Sequence, residues 1–169
     1  MDRLELVTLG CVFLLFLIGF FSSDAATQPV VDLTDLDMGR GIIINPAAFH
    51  LYYVENDAVV AKYPIAVGRP RTWTGEHWKV TKTPSGHFYV NSKVAEPQWY
   101  PPAWLKETRG WESDYVVESG PGNPLGARWI GLSRRGYGIH GTNNLASIGR
   151  AVSLGCIRMT NEAVRKLYS

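Results

Sequence analysis

Cysteine is nearly missing from this chain. Among 169 residues only Cys11 and Cys156 carry a thiol, and Cys11 lies in an apolar N-terminal run, so the remainder cannot build a disulfide framework. Metal-ligand spacing is missing too. His50, His77, His87 and His140 are scattered, with no C-x-x-C or H-x-x-x-H, so no metal site and no cofactor is expected. There is no G-x-G-x-x-G or P-loop spacing, no repeat and no low-complexity tract. No run of Lys and Arg offers a track for a phosphate backbone, which removes nucleic acid from the expected partners. Disorder is excluded by what is abundant: 46% hydrophobic and 12% aromatic residues, six of them Trp, against 19% charged.

The chain opens with Arg3 in a short polar head, an apolar run from Leu6 to Phe21, and small residues at Ser23-Asp24-Ala25. Residues 1–25 therefore read as an export signal, with an uncleaved N-terminal anchor as the alternative. Sixteen apolar positions broken by Thr8 and Gly10 fall short of the roughly 20 a spanning helix needs. Either reading places the rest outside the cytoplasm, with membrane contact only through this segment. Losing residues 1–25 removes one base (Arg3) and three acids (Asp2, Glu5, Asp24), moving the formal charge from +2 to +4. That balance suits loose attraction to an anionic wall or membrane, or simply solubility.

Residues 26–40 are polar and acidic and read as a tail or linker; residues 41–169 have the length of one domain. Ile42-Ile43-Ile44 and Phe49 to Val54 are β-rich runs, Glu55-Asn56-Asp57 supplies a turn, and Ala58 to Val67 continues a meander. Further strands are expected at His87–Asn91, Tyr115–Glu118, Ala127–Leu132 and Gly136–His140. Pro97 to Trp111 is dense in Pro and Trp, and reads as a long irregular loop that walls a substrate or caps the core. Leu145 to Val152 fits one helical turn or a loop. One late helix is expected through Glu162 to Leu167, capped by Thr160 or Asn161. The sum is a mainly β, sandwich- or barrel-like domain with one late helix.

Cys156 is the only thiol of the exported part, and His140 lies 16 positions before it. A thiol and an imidazole together supply a nucleophile and its base, and an adjacent imidazolium would lower the thiol pKa. Gly155 permits close backbone approach, and the Gly155 and Cys156 amides are candidate oxyanion donors. Ser153 can hold that turn. Arg158 can grip a carboxylate through both nitrogens, or form a surface ion pair.

Ile139-His140-Gly141-Thr142-Asn143 followed by Ser153-x-Gly155-Cys156-Ile157-Arg158-Met159 closely resembles the L,D-transpeptidase catalytic domain, the YkuD-type family, from about Ile42 to Leu167. Thr83-Pro84-Ser85-Gly86, Pro97 to Pro102 and Gly120 to Gly126 support it. The resemblance implies a mainly β sandwich-like fold and ping-pong transpeptidation of peptidoglycan stem peptides. Cys156 would be the acyl-accepting thiol, His140 the general base and acid, and Gly155 a backbone oxyanion donor. Arg158, Ser153, Gly141, Thr142 and Trp99 would line the substrate. It also implies 3-3 cross-links in the cell wall, with trimming by water as the carboxypeptidase alternative, and acylation of Cys156 by carbapenems. Leu154 stands where many members carry a second His. Family domains continue past the last helix into a closing strand, so the resemblance implies a fragment or a fold closed differently. A sortase would show T-L-x-T-C, and papain-like proteases place Cys before His; neither pattern is present. A wall-binding module without turnover is the non-enzymatic rival.

Overall fold

The computed structural model describes residues 5–8, as backbone, and residues 39–169. The strands are β1 Glu5–Thr8, β2 Arg40–Asn45, β3 His50–Glu55, β4 Ala58–Pro64, β5 Val67–Gly68, β6 Arg71–Trp73, β7 Trp78–Val80, β8 Gly86–Ala95, β9 Arg128–Leu132, β10 Gly138–His140, β11 Ala151–Ser153 and β12 Ile157–Arg158. Two α-helices, α1 Ala103–Arg109 and α2 Asn161–Tyr168, and a 3-10 turn at Leu145–Ser147 complete the set.

The meander forms as its sequence dictates. Asn56 and Asp57 take positive φ (49° and 59°), which matches the right-handed strand twist and folds β3 back on β4. Eight strands make one sheet in the order β12-β10-β9-β8-β1-β2-β3-β4, with β11 and β5 as a parallel pair and β6 and β7 as a hairpin. Ile42, Ile43 and Ile44 are all fully buried although neighbours along a strand face opposite ways, so β2 is covered on both sides. One core unites Ile42, Ile44 and Leu51 with Ile130, Ile139, Ile157 and Met159, closed by Val164 of α2. Each such side chain contributes roughly 2 kcal/mol of burial.

Late helix α2 begins as expected. The Thr160 hydroxyl accepts the Ala163 N–H, and Glu162 occupies the positive first turn. A second helix was not expected. Between Pro102 and Gly110, Ala103-Trp104-Leu105-Lys106-Glu107-Thr108-Arg109 forms α1, because both prolines precede the first turn and Gly110, at φ 63°, caps the end. The strand expected over Tyr115–Glu118 shrinks to one bridge between Trp99 and Val117. The Asn123 amide donates to the Val117 and Glu118 carbonyls, which satisfies that backbone without a ladder.

The expected export signal and tail lie outside the described residues, apart from the strand β1 and Gly39–Arg40; β1 runs parallel to β2 and antiparallel to β8. Among the described residues no helix is long and apolar enough to cross a membrane.

Candidate active site

Strand register brings the two signature segments together. β10 and β12 pair in parallel, Ile139 opposite Ile157 and His140 opposite Arg158. From Ser153 to Thr160 the chain alternates buried and half-buried residues without interruption. Ile157 and Met159 enter the core on one face, so Cys156 and Arg158 take the other, the face of His140. The sheet itself thus unites the thiol, the imidazole and the guanidinium.

His140 is 4% exposed, and its Nδ1 lies 2.7 Å from the Gly141 carbonyl. A carbonyl only accepts, so a hydrogen on Nδ1 leaves Nε2 as the ring's acceptor, while the Leu125 carbonyl is a second backbone acceptor that favours the protonated ring. Burial, with Arg158 adding positive charge, lowers the His140 pKa to about 4. The Cys156 thiol is pushed up to about 11 by burial, against the pull of Gly138 backbone and Arg158. The thiolate–imidazolium pair expected from the sequence is therefore not the resting state. Both groups are neutral near pH 7: at His140 burial and the Arg158 charge act together, and at Cys156 burial outweighs the pull of the Gly138 backbone and Arg158.

Among the described residues the thiol donates only to the Gly136 carbonyl, 3.5 Å away, and not to His140. Such a pair can still do general-base chemistry, with the proton moving to Nε2 as sulfur attacks.

The loop before Cys156 is tightly tied. The Ser153 hydroxyl donates to the Cys156 carbonyl (2.6 Å) and accepts the Gly155 N–H (3.1 Å). Thr83 Oγ1 donates to the Gly155 carbonyl (2.9 Å) and accepts the Gly68 N–H. Gly155 sits at φ 123°, and a Cβ there would meet the Tyr137 ring at 2.6 Å. Two sequence expectations shift as a result. Gly155 N–H is already committed, which leaves the Cys156 N–H, unpaired among the described residues, as the available oxyanion donor. Ser153, 3% exposed with its hydroxyl doubly used, shapes the loop rather than lining a substrate.

Gly141 and Thr142 are likewise buried and structural in their contacts. Asn161 Oδ1 accepts the N–H of Ala127 and of Thr142, and its Nδ2 donates to the Thr142 carbonyl. A Cβ on Gly141 would collide with that amide at 2.1 Å. The described contacts of Trp99 are with Val117 and Trp111 and include none with Cys156. It stands edge-on to Trp111 (6.3 Å), which leans on Tyr115, beside a hollow of about 310 Å³ lined by Pro101, Ala103, Lys106, Glu107, Trp111 and Ser113.

Arg158 is in register with His140 and its charge acts on both His140 and Cys156. Its Nε is buried without a partner, and burial, with Arg69 nearby, lowers its pKa. No carboxylate pairs with it among the described residues. Two like charges converge there, and the orphaned donor awaits an acceptor.

Sequence reading missed three residues. Arg69, which clamps the Val152 carbonyl through Nε and Nη2, had no signal beyond its place after Gly68. Asn161 stood out only as a helix cap. Trp129, the register partner of His140, stacks on the imidazole at 5.9 Å and 22°. Its ring fills the space over Gly138, where a Cβ would sit 2.6 Å from it. The Trp129-Ile130-Gly131 alternation facing Gly138 was the available signal: a large ring needs glycines under it.

Among the described residues no cluster of three or more His, Cys, Asp or Glu could hold a metal. The family model described as the L,D-transpeptidase catalytic domain matches residues 39–169. A relative described as a putative L,D-transpeptidase, YkuD of Bacillus subtilis, is 40% identical over 114 residues, covering 68% of this chain and 49% of that protein. The probable L,D-transpeptidase ErfK/SrfK of Escherichia coli is 36% identical over 133 residues, 76% of this chain and 40% of that one. The chain spans about half the length of the curated relatives it matches. Among solved structures, an L,D-transpeptidase of Xylanimonas cellulosilytica superposes with TM-score 0.56 at 21% identity, over 78% of this chain and 54% of that one. The ertapenem-acylated catalytic domain of the E. faecium L,D-transpeptidase does so with 0.54 at 22%, over 77% and 88%. At these identities the superpositions speak for the fold.

Proposed function

This chain belongs to the L,D-transpeptidase catalytic domain family, and from that premise we propose that it is a cysteine acyltransferase acting on peptidoglycan stem peptides outside the cytoplasm. The observation that carries the reading is the β10–β12 register, which puts Cys156, His140 and Arg158 on one face.

Cys156 Sγ attacks the carbonyl of the third residue of a donor tetrapeptide, and His140 Nε2 takes the thiol proton in the same step. The Cys156 N–H faces the oxyanion that develops. Collapse breaks the amide bond, and the imidazolium returns its proton to the departing D-alanine amine, leaving a thioester on Cys156. An amine of a neighbouring stem attacks that thioester, His140 removes the extra proton, and the thiol is regenerated with a 3-3 cross-link. Water in place of the amine gives a trimmed tripeptide. Arg158, with its unpartnered Nε, holds a stem carboxylate in register with Cys156. Acylation by carbapenems follows from the same attack, as the ertapenem-acylated E. faecium domain illustrates for that protein.

Intact-mass spectrometry of the 169-residue chain after incubation with disaccharide-tetrapeptide, and separately with a carbapenem, tests the reading. An adduct on the parent, absent from Cys156→Ala and accompanied by free D-alanine, supports it. A folded parent that gains no mass from either compound overturns it in favour of wall binding without turnover.

A further inference from the structure

The β6–β7 hairpin serves no purpose in the chemistry above, yet it carries the most exposed large apolar surface near it. Trp73 and Trp78 are register partners, 49% and 58% exposed, with rings edge-to-face at 5.5 Å. Val80 (75%) and Tyr100 (65%) are exposed as well. Arg71 lies over the Trp78 ring at 5.3 Å, and Lys79 over Trp104 of α1 at 5.8 Å. Residues 69–82 hold four cations, Arg69, Arg71, Lys79 and Lys82, against the single acid Glu76. Exposed indoles cost solubility unless something covers them.

The hairpin is rigidly held. Thr74 closes its turn through bonds to His77, and Thr108 of α1 donates to the Thr74 carbonyl (2.6 Å). Its base is bolted to the loop that carries Cys156: Arg69 N–H donates to the Ser153 carbonyl, Thr81 Oγ1 to the Arg69 carbonyl, and Thr83 to the Gly155 carbonyl. Trp78 lies three positions before Thr81, roughly 10 Å along the strand, and the Thr81 carbonyl lies 3.5 Å from where a Cβ on Gly155 would sit.

We propose that this face is a glycan platform: it binds the sugar backbone whose attached stem peptide reaches Cys156, an assignment that rests on the peptidoglycan reading above. Pyranose rings present flat C–H faces to indoles, and their acylamino and carboxyl oxygens accept from Arg71, which shares the face of Trp73 and Trp78. A linear polymer on a surface fixed to the acylation loop arrives with its side chains already near the thiol, and the cationic excess suits the acidic groups of wall material. Trp73 and Trp78 set polymer affinity, whereas Cys156 and His140 set reaction with any stem.

Two measurements on the full chain test this. Titration with glycan strands freed of stem peptides reads the platform alone. Wild type binds, and Trp73→Ala/Trp78→Ala weakens binding about tenfold or more. Trp73→Phe/Trp78→Phe retains most affinity, and circular dichroism confirms that both variants fold. Acylation of Cys156 then separates the two readings. The Ala variant reacts as wild type with a free tetrapeptide but about tenfold more slowly with polymeric peptidoglycan. Unchanged strand binding by the Ala variant, or none by wild type, overturns the platform. Binding instead to phosphatidylglycerol vesicles, lost in the same variant, also overturns it, in favour of a membrane surface. Strand binding by a wild type that no tetrapeptide acylates leaves the platform standing and overturns the enzymatic reading alone.

Discussion

Two regions of the molecule solve the problem of placing aromatic and polar groups in opposite ways. Around β10 and β12 Trp129 sits over Gly138 and Tyr137 over Gly155, nearly every polar atom has a partner, and strand register fixes which side chains meet. Around β6–β7 and the Pro97–Glu118 loop the rings lean on one another or on cations, and their faces stay open. A site whose protonation states must be set requires burial. A surface that receives a polymer requires exposure, and it tolerates substitution for the same reason.

The largest expected effect breaks the buried side outright. Cys156→Ala abolishes acylation, and His140→Ala, with the thiol intact, slows it by about two to four orders of magnitude, the range for loss of a positioned general base. Single-turnover mass spectrometry resolves the two. Asn161→Ala is next. It strips the Ala127 and Thr142 amides and the Thr142 carbonyl of their shared partner, at about 1–3 kcal/mol for each group left unpaired. Denaturant unfolding should register a loss of several kcal/mol, and acylation should fall further than stability alone explains.

Acidity sharpens the contrast. The unfolded imidazole takes a proton near 6.5 while the buried one resists until about 4, so His140 costs stability progressively as pH falls across that window. The full difference is roughly 3 kcal/mol. Melting followed from pH 7 to 4 should show it, and His140→Gln should flatten it. The acid limb of acylation should fall near pH 4 rather than 6.5. The smallest effect belongs to the exposed side: Trp99→Ala should leave free-stem acylation within about twofold, since no described contact links Trp99 to Cys156. A larger loss would mean that the aromatic loop reaches the thiol.

What the sequence revealed follows the same division. Cys156 and His140 were legible because scarcity isolates the thiol and period-2 alternation needs only local order. The meander was legible from its Asn-Asp turn. Helix α1 was hidden because Pro101 and Pro102 look like interruption until their place ahead of the first turn is known. Trp129, Asn161 and Arg69 act through contacts that no local pattern encodes. Asn161 reaches back 34 residues to Ala127, and Arg69 reaches 83 forward to Val152. The neutral resting pair was invisible for a related reason: burial belongs to the fold, not to the residue.

Gly138 beneath the Trp129 ring has a consequence for how such a site can change over generations. A methyl group at 138 has no room while the indole is in place, and losing the indole leaves the imidazole without its stacking neighbour. Position 138 is therefore closed twice: a smaller residue at 129 removes the ring but leaves the Ile130 carbonyl 2.8 Å from a Cβ at 138, so the glycine is held by backbone as well as by side chain. Two positions that never react thus confine each other on descent, and a variant changed at both should remain less stable than one changed at Trp129 alone.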